Sequence, residues 1–87
     1  MSDSSDLSLY QTVYCPYCER VRAAVRRLGL DIEARDIDAK SAWRSELVKA
    51  TGRQTVPCLR IHHSDGEDEW LHESADIIAY LDERFGG

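Results

Sequence analysis

The chain has 87 residues, 43% of them hydrophobic and 31% charged, with a formal net charge of −5. That length makes one small domain with a modest core, and the acidic balance argues against nucleic-acid binding, which needs a basic face for phosphate. The longest unbroken apolar run, residues 77–81, falls far short of the ~20 residues that span a bilayer, so no membrane contact is expected.

Residues 1–6 are rich in Ser and Asp, lack an apolar stretch and read as a disordered tail, not a signal peptide. Residues 7–14 read as a strand, with Leu7, Leu9 and Val13 at alternating positions. Residues 16–28 read as a helix whose apolar stripe is Val21, Ala24, Val25 and Leu28, with Arg20, Arg22, Arg26 and Arg27 mostly on the other faces and Gly29 as its stop. Residues 32–37 alternate as a second strand. A helix over 41–51 follows, capped by Asp38 or Ser41, with Trp43, Leu47 and Ala50 inward and Gly52 closing it. Pro57 can only begin a third strand, residues 57–62. Residues 63–68, with Asp65 and Gly66 central, make a hairpin loop into a short fourth strand over 69–72. Ser74 caps a last helix over 75–85, with Ile77, Ile78, Leu81 and Phe85 inward. The order is βαβαββα. The first two strands should be parallel through a right-handed crossover, and the last two antiparallel.

Three cysteines are present, an odd number, and two of them sit three positions apart. With no signal peptide expected, this predicts a soluble protein of a reducing compartment, the cytoplasm, where a Cys-x-x-Cys is catalytic or metal-binding more often than structural. The pair lies in Cys15-Pro16-Tyr17-Cys18, where the first strand gives way to the first helix. A thiol at the first turn of a helix faces unpaired backbone N–H groups and the positive end of the helix dipole. Both favour thiolate, and pKa values at such places fall from ~8.5 to between ~3.5 and ~7.5. Cys15 precedes the helix and is the expected attacking thiolate; Cys18, one turn inside, is the expected resolving thiol. The competing reading is half a metal site. Zinc needs about four ligands, there is no second Cys-x-x-Cys, and His62 and His63 would point to opposite faces of a strand, so no metal is expected. Thr55, Val56 and Pro57 precede the third strand. They read either as a plain turn or as a cis X–Pro bond that leaves the Val56 backbone free to pair with an extended peptide.

Cys-Pro-Tyr-Cys after the first strand, Thr-Val-Pro before the third, and the βαβαββα order together resemble the glutaredoxins, within the thioredoxin-fold superfamily, over residues 7–85. The resemblance implies an α/β, thioredoxin-like domain: a four-stranded mixed sheet with helices on both faces. It further implies that Pro57 is cis beside the cysteines, that the Val56 backbone holds the cysteinyl part of glutathione, and that Thr55 shares that loop. Arg53 would hold the glycine carboxylate, and Tyr17 would line the groove. At Glu73 and Ser74 the chain looks more like the N-terminal domain of glutathione S-transferases. There a helix N-terminus would bind the γ-glutamyl carboxylate and Glu73 the ammonium. Thr12 stands where many glutaredoxins carry a lysine that acidifies the first cysteine; the arginines of the first helix are a partial substitute. Cys58 reads as a buried core residue or a third redox thiol, and His72 as an exposed strand end or a pH-sensitive neighbour of the site.

The expected activity is glutathione-dependent thiol–disulfide exchange on protein disulfides or glutathionylated proteins. Glutathione is the co-substrate, no cofactor is bound, and the protein acts as a monomer. Two alternatives are a glutathione S-transferase-like conjugating or glutathione-binding module, for which this length leaves no room for a second domain, and an iron–sulfur cluster carrier, in which a cluster bridges two chains through Cys15 and glutathione.

Overall fold

The computed structural model describes residues 5–86; residues 1–4, most of the expected tail, and Gly87 lie outside the described residues. Seven elements follow one another: β1 (Leu7–Gln11), α1 (Pro16–Arg27), β2 (Glu33–Asp36), α2 (Ser41–Thr51), β3 (Cys58–His62), β4 (Asp68–Leu71) and α3 (Ser74–Phe85). The sheet order is β2-β1-β3-β4. β1 and β2 run parallel with Leu9 opposite Ala34, while β3 is antiparallel to both β1 and β4.

Period-two alternation along the central strands builds two cores, one on each side of the sheet. Leu7, Leu9, Leu59 and Ile61 face one way and meet Val21 of α1 with Ile77 and Leu81 of α3. Tyr10 and Cys58 face the other way, with Ile37 and Leu47 of α2, and Trp43, Val56 and Trp70 pack around them. The expected thioredoxin-like mixed sheet with helices on both faces is therefore the fold, and α1 and α3 share a face. Gly29 and Gly52 end their helices with φ of 67° and 78°, left-handed values that glycine adopts without a Cβ penalty. Among the described residues no helix is long and apolar enough to cross a membrane.

Several boundaries differ from the sequence reading, each for a local reason. β1 stops at Gln11 instead of residue 14. The carbonyls of Thr12 and Val13 accept hydrogen bonds from the Arg22 guanidinium at 3.1 and 3.2 Å in place of a strand partner. Val13, expected inward, is 59% exposed, and Tyr14 is 95% exposed. Lys40, not Asp38 or Ser41, occupies the α2 cap position, with no side-chain cap bond; the Lys40 and Ala39 N–H groups are taken by the Asp36 carbonyl. Ala50 faces outward. In α3 the cap is Glu73, whose carbonyl accepts the Ile77 N–H at 2.9 Å, and Ser74 is the first helical residue. Asp6, expected in the tail, is tied down: its carboxylate pairs with Arg84 at 3.0 Å and its carbonyl accepts the His62 N–H.

The Asp65–Gly66 turn forms as expected. Gly66 donates to the His63 carbonyl, and the Asp65 side chain accepts the Glu67 N–H, an Asx turn. Ile77 is fully buried between the sheet and α1, so Ile77→Ala removes side-chain volume that the packed helices cannot refill. The expected loss is about 2–5 kcal/mol, a large share of the stability of so small a domain. Urea denaturation followed by circular dichroism measures it, and a loss under about 1 kcal/mol would show that this core collapses around the gap.

Candidate functional site

Cys15 is the N-cap of α1, in extended conformation (φ −90°, ψ 118°), with Pro16 at the first helical position. That backbone turns its side chain over the open end of the helix, and Cys18 N–H donates to Cys15 Sγ at 3.4 Å. The Cys15 carbonyl takes the first intrahelical bond, from Glu19 N–H at 3.0 Å. Cys15 is half-buried and Cys18 fully buried, and both are free thiols. One helical turn thus gives the two sulfurs opposite electrostatics. Burial pulls the Cys15 pKa upward, but the Cys18 thiol, the Cys18 and Tyr17 N–H groups and the charge of Arg22 outweigh it, so the net value lies below that of an ordinary thiol. Cys18 is pushed up to about 11, chiefly by burial and further by the hydrogen bond and charge of Cys15.

Beside Cys15 lies a groove of about 370 Å³ walled by Tyr17, Thr55, Val56, Pro57, His72, Glu73 and Ser74. Three separate stretches meet there: the first turn of α1, the loop into β3, and the junction of β4 with α3. Cys15 Sγ lies 4.0 Å from the Val56 carbonyl, and the Val56–Pro57 peptide bond is cis. Tyr17 is 59% exposed over the groove. The cap position of α3, Glu73, makes no side-chain cap bond, so the first-turn N–H groups of α3 have no side-chain acceptor there and suit an incoming carboxylate.

Of the residues singled out from sequence, Tyr17, Thr55, Val56, Pro57, Glu73 and Ser74 share this groove, and Cys15 adjoins it through Val56. Arg53 is exposed and outside the groove wall, yet near enough for its charge to lower the pKa of both His72 and Cys58. Cys58 is a core residue, fully buried with Tyr10, Ile37 and Leu47, its thiol pushed up to about 12 by burial despite Arg53. His72 is no exposed strand end. It lines the groove, its Nδ1 is buried without a partner among the described residues, and burial together with Arg53 lowers its pKa against the pull of Glu73. Among the described residues no three His, Cys, Asp or Glu side chains converge as a metal site.

Of the four α1 arginines expected as a partial substitute for a lysine at position 12, Arg22 is the one whose charge reaches both cysteines. It lies one turn beyond Cys18, on the same face by the i, i+4 spacing, which is the signal that would have found it. Gln11, whose buried side chain accepts from Arg22 at 2.8 Å, carried no sequence signal.

A four-stranded β2-β1-β3-β4 sheet with a Cys-x-x-Cys at the start of α1 and a cis-proline loop beside it defines a thioredoxin-fold dithiol protein. Residues 9–87 match the family described as glutathione S-transferase, N-terminal domain. Glutaredoxin 3 of Escherichia coli (strain K12) is 34% identical over 67 residues, covering 75% of this chain and 81% of that protein. Among solved structures, glutaredoxin C1 from Populus tremula x tremuloides in its holo form aligns with a TM-score of 0.63 at 26% identity, over 93% of this chain and 77% of that one. A maleylacetoacetate isomerase from Anaeromyxobacter dehalogenans 2CP-1 with bound GSH gives a TM-score of 0.68 at 28% identity over 92% of this chain, which spans 38% of the isomerase. The chain belongs to the glutaredoxin family.

The site makes a direct prediction about thiol chemistry. Only the thiolate alkylates, so each cysteine should react as pH rises through its own pKa. Cys15 should titrate below the ~8.5 of a free cysteine, while Cys18 and Cys58 stay silent until about pH 11 and 12. Iodoacetamide pulses read by peptide mass spectrometry resolve the three; a Cys15 midpoint at or above that of a free cysteine would contradict the assignment.

Proposed function

We propose that the protein is a glutathione-dependent thiol–disulfide oxidoreductase acting on protein disulfides or protein–glutathione mixed disulfides. The observation that carries this reading is the placement of Cys15 Sγ at the open end of α1, 4.0 Å from the Val56 carbonyl that walls the groove. Membership in the glutaredoxin family and the GSH bound in the isomerase neighbour support glutathione as the occupant of that groove.

In this mechanism the Cys15 thiolate attacks the glutathione sulfur of a mixed disulfide. A Cys15–glutathione disulfide forms and the protein thiolate leaves with the electron pair of the broken bond. A second glutathione thiolate then attacks the glutathione sulfur, giving oxidised glutathione and returning the Cys15 thiolate. Along the dithiol route, Cys18 loses its proton and attacks Cys15, closing a Cys15–Cys18 disulfide and releasing glutathione; two further glutathiones reduce it. Glutathione is consumed as a co-substrate and no resident cofactor takes part. The bound tripeptide would lie extended. Its cysteinyl backbone pairs with Val56, its γ-glutamyl carboxylate meets the first-turn N–H groups of α3 at Ser74, and its ammonium meets Glu73. Thr55, Pro57 and Tyr17 shape the walls, and Arg53 reaches the glycine carboxylate from outside.

Cys15→Ser should abolish reduction of a glutathionylated peptide, and Cys18→Ser should retain much of it; undiminished activity in Cys15→Ser would sink the mechanism. Conjugation of an aromatic halide, assayed beside it, should be far slower than disulfide reduction, and the reverse order would favour a transferase. Glu73→Gln should raise the KM for glutathione about two- to fivefold with little change in kcat, the effect of losing one solvent-exposed charge pair. An unaltered KM would remove Glu73 from the binding site.

A further inference from the structure

We propose that Arg22 is a positioning residue for the dithiol, locking the 12–14 segment with one guanidinium and holding a fixed positive charge behind both sulfurs. The inference rests on the reading of Cys15 as the attacking thiolate. Its structural basis is a side chain with four acceptors. Nη1 donates to Gln11 Oε1 at 2.8 Å and to the Thr12 carbonyl at 3.1 Å. Nη2 donates to the Val13 carbonyl at 3.2 Å, and Nε to Glu19 Oε2 at 3.1 Å. Among the described residues the other arginines of α1 differ: Arg20 is exposed, Arg26 is exposed and pairs with Glu19, and Arg27 is exposed and pairs with Asp82.

Two consequences follow for the sulfurs. The Thr12 carbonyl is held by Arg22, and the Thr12 backbone beside it favours the Cys18 thiolate. The same guanidinium, only 22% exposed, is screened less by salt than a surface charge and acts on both Cys15 and Cys18. Thr12 itself brings no charge to the loop. The cation that favours the Cys15 thiolate comes instead from α1, one turn beyond Cys18. A planar fork is required, because the acceptors lie in several directions; an ammonium supplies the charge without matching all of them. Gln11, otherwise an unexplained buried polar residue, is the anchor that fixes the fork.

The test uses the full chain with Arg22→Gln, Arg22→Lys and, as a control, Arg26→Gln. The Cys15 alkylation midpoint is read against pH, and amide hydrogen exchange is read at Thr12 and Val13. Arg22→Gln should raise the midpoint by roughly half a unit to one unit and speed exchange at both amides. Arg22→Lys should recover most of the midpoint while exchange stays fast. Arg26→Gln should leave both unchanged. A wild-type midpoint in a folded Arg22→Gln would overturn the proposal, leaving Arg22 a purely structural brace; so would an equal shift in Arg26→Gln, which would make the effect one of general helix charge. If Arg22→Gln fails to fold, Arg22→Lys decides: wild-type exchange and midpoint together would overturn it. Failure of the oxidoreductase reading is separately visible, as disulfide reduction that survives Cys15→Ser.

Discussion

The structure turns on a sulfur atom facing the open end of a helix. An α-helix leaves its first N–H groups without intrahelical partners, and Cys15 supplies the acceptor at its own cap position. A cap is ordinarily an oxygen. With sulfur there, the stabilisation that ends a helix becomes stabilisation of a nucleophile, since N–H donors and the helix dipole both favour the anion. The arrangement depends on what orients α1. Val21 and Ala24 are buried in the core it shares with α3, and Arg22 ties α1 to the end of β1. The site is therefore braced by the hydrophobic face of the helix on one side and by a polar clamp on the other.

The sheet supplies the second wall. β3 pairs antiparallel with β1 through Tyr10 opposite Cys58, which places Val56 and Pro57, just ahead of β3, next to the end of β1 and hence next to Cys15. β4 pairs with β3 in turn, so the chain leaving β4 delivers His72, Glu73 and Ser74 to the same end of the molecule. A groove assembled from three distant stretches follows from strand order alone. Cys58, although adjacent to Pro57 in sequence, points to the α2 face and is sealed in its core, because neighbouring residues in a strand face opposite sides. Proximity in sequence to the reactive loop gives it no access to the reactive cysteine.

Much of this was legible in the sequence where the signal is periodic or local. The apolar stripe of α1, the alternation in β1, the glycine stops and the thiol at a strand-to-helix junction each predict their own structure from a few adjacent residues. What was missed depends on bonds between residues distant in the chain or on side chains capturing backbone groups. β1 ends early because Arg22, eleven positions beyond Gln11, takes the next two carbonyls. Asp6 is ordered by Arg84, at the far end of the chain. Ser74 has the composition of a cap, yet the helix starts one residue sooner than expected, at Ser74, and Glu73 takes the cap position. That last difference bears on function. A capping serine would have occupied one of the N–H groups proposed to receive the γ-glutamyl carboxylate.

In the proposed mechanism the two thiols would also set how the mixed disulfide is resolved. A free thiol of pKa ~8.5 is a few per cent thiolate at pH 7, whereas Cys18, pushed up to about 11, is far less ionised. Its greater intrinsic nucleophilicity recovers only part of that, and the remaining handicap against glutathione is offset by Cys18 being held one turn from the target. The handicap is conditional. Burial is its larger source, but part of it comes from the hydrogen bond and charge of Cys15, and both vanish once Cys15 is capped by glutathione. Under that mechanism the resolving thiol would be kept quiet while Cys15 is free and would become easier to ionise when there is a disulfide to attack. Arg22, whose charge reaches both sulfurs, would on the proposed mechanism act in the two states alike: first on the thiolate that attacks, then on the one that resolves.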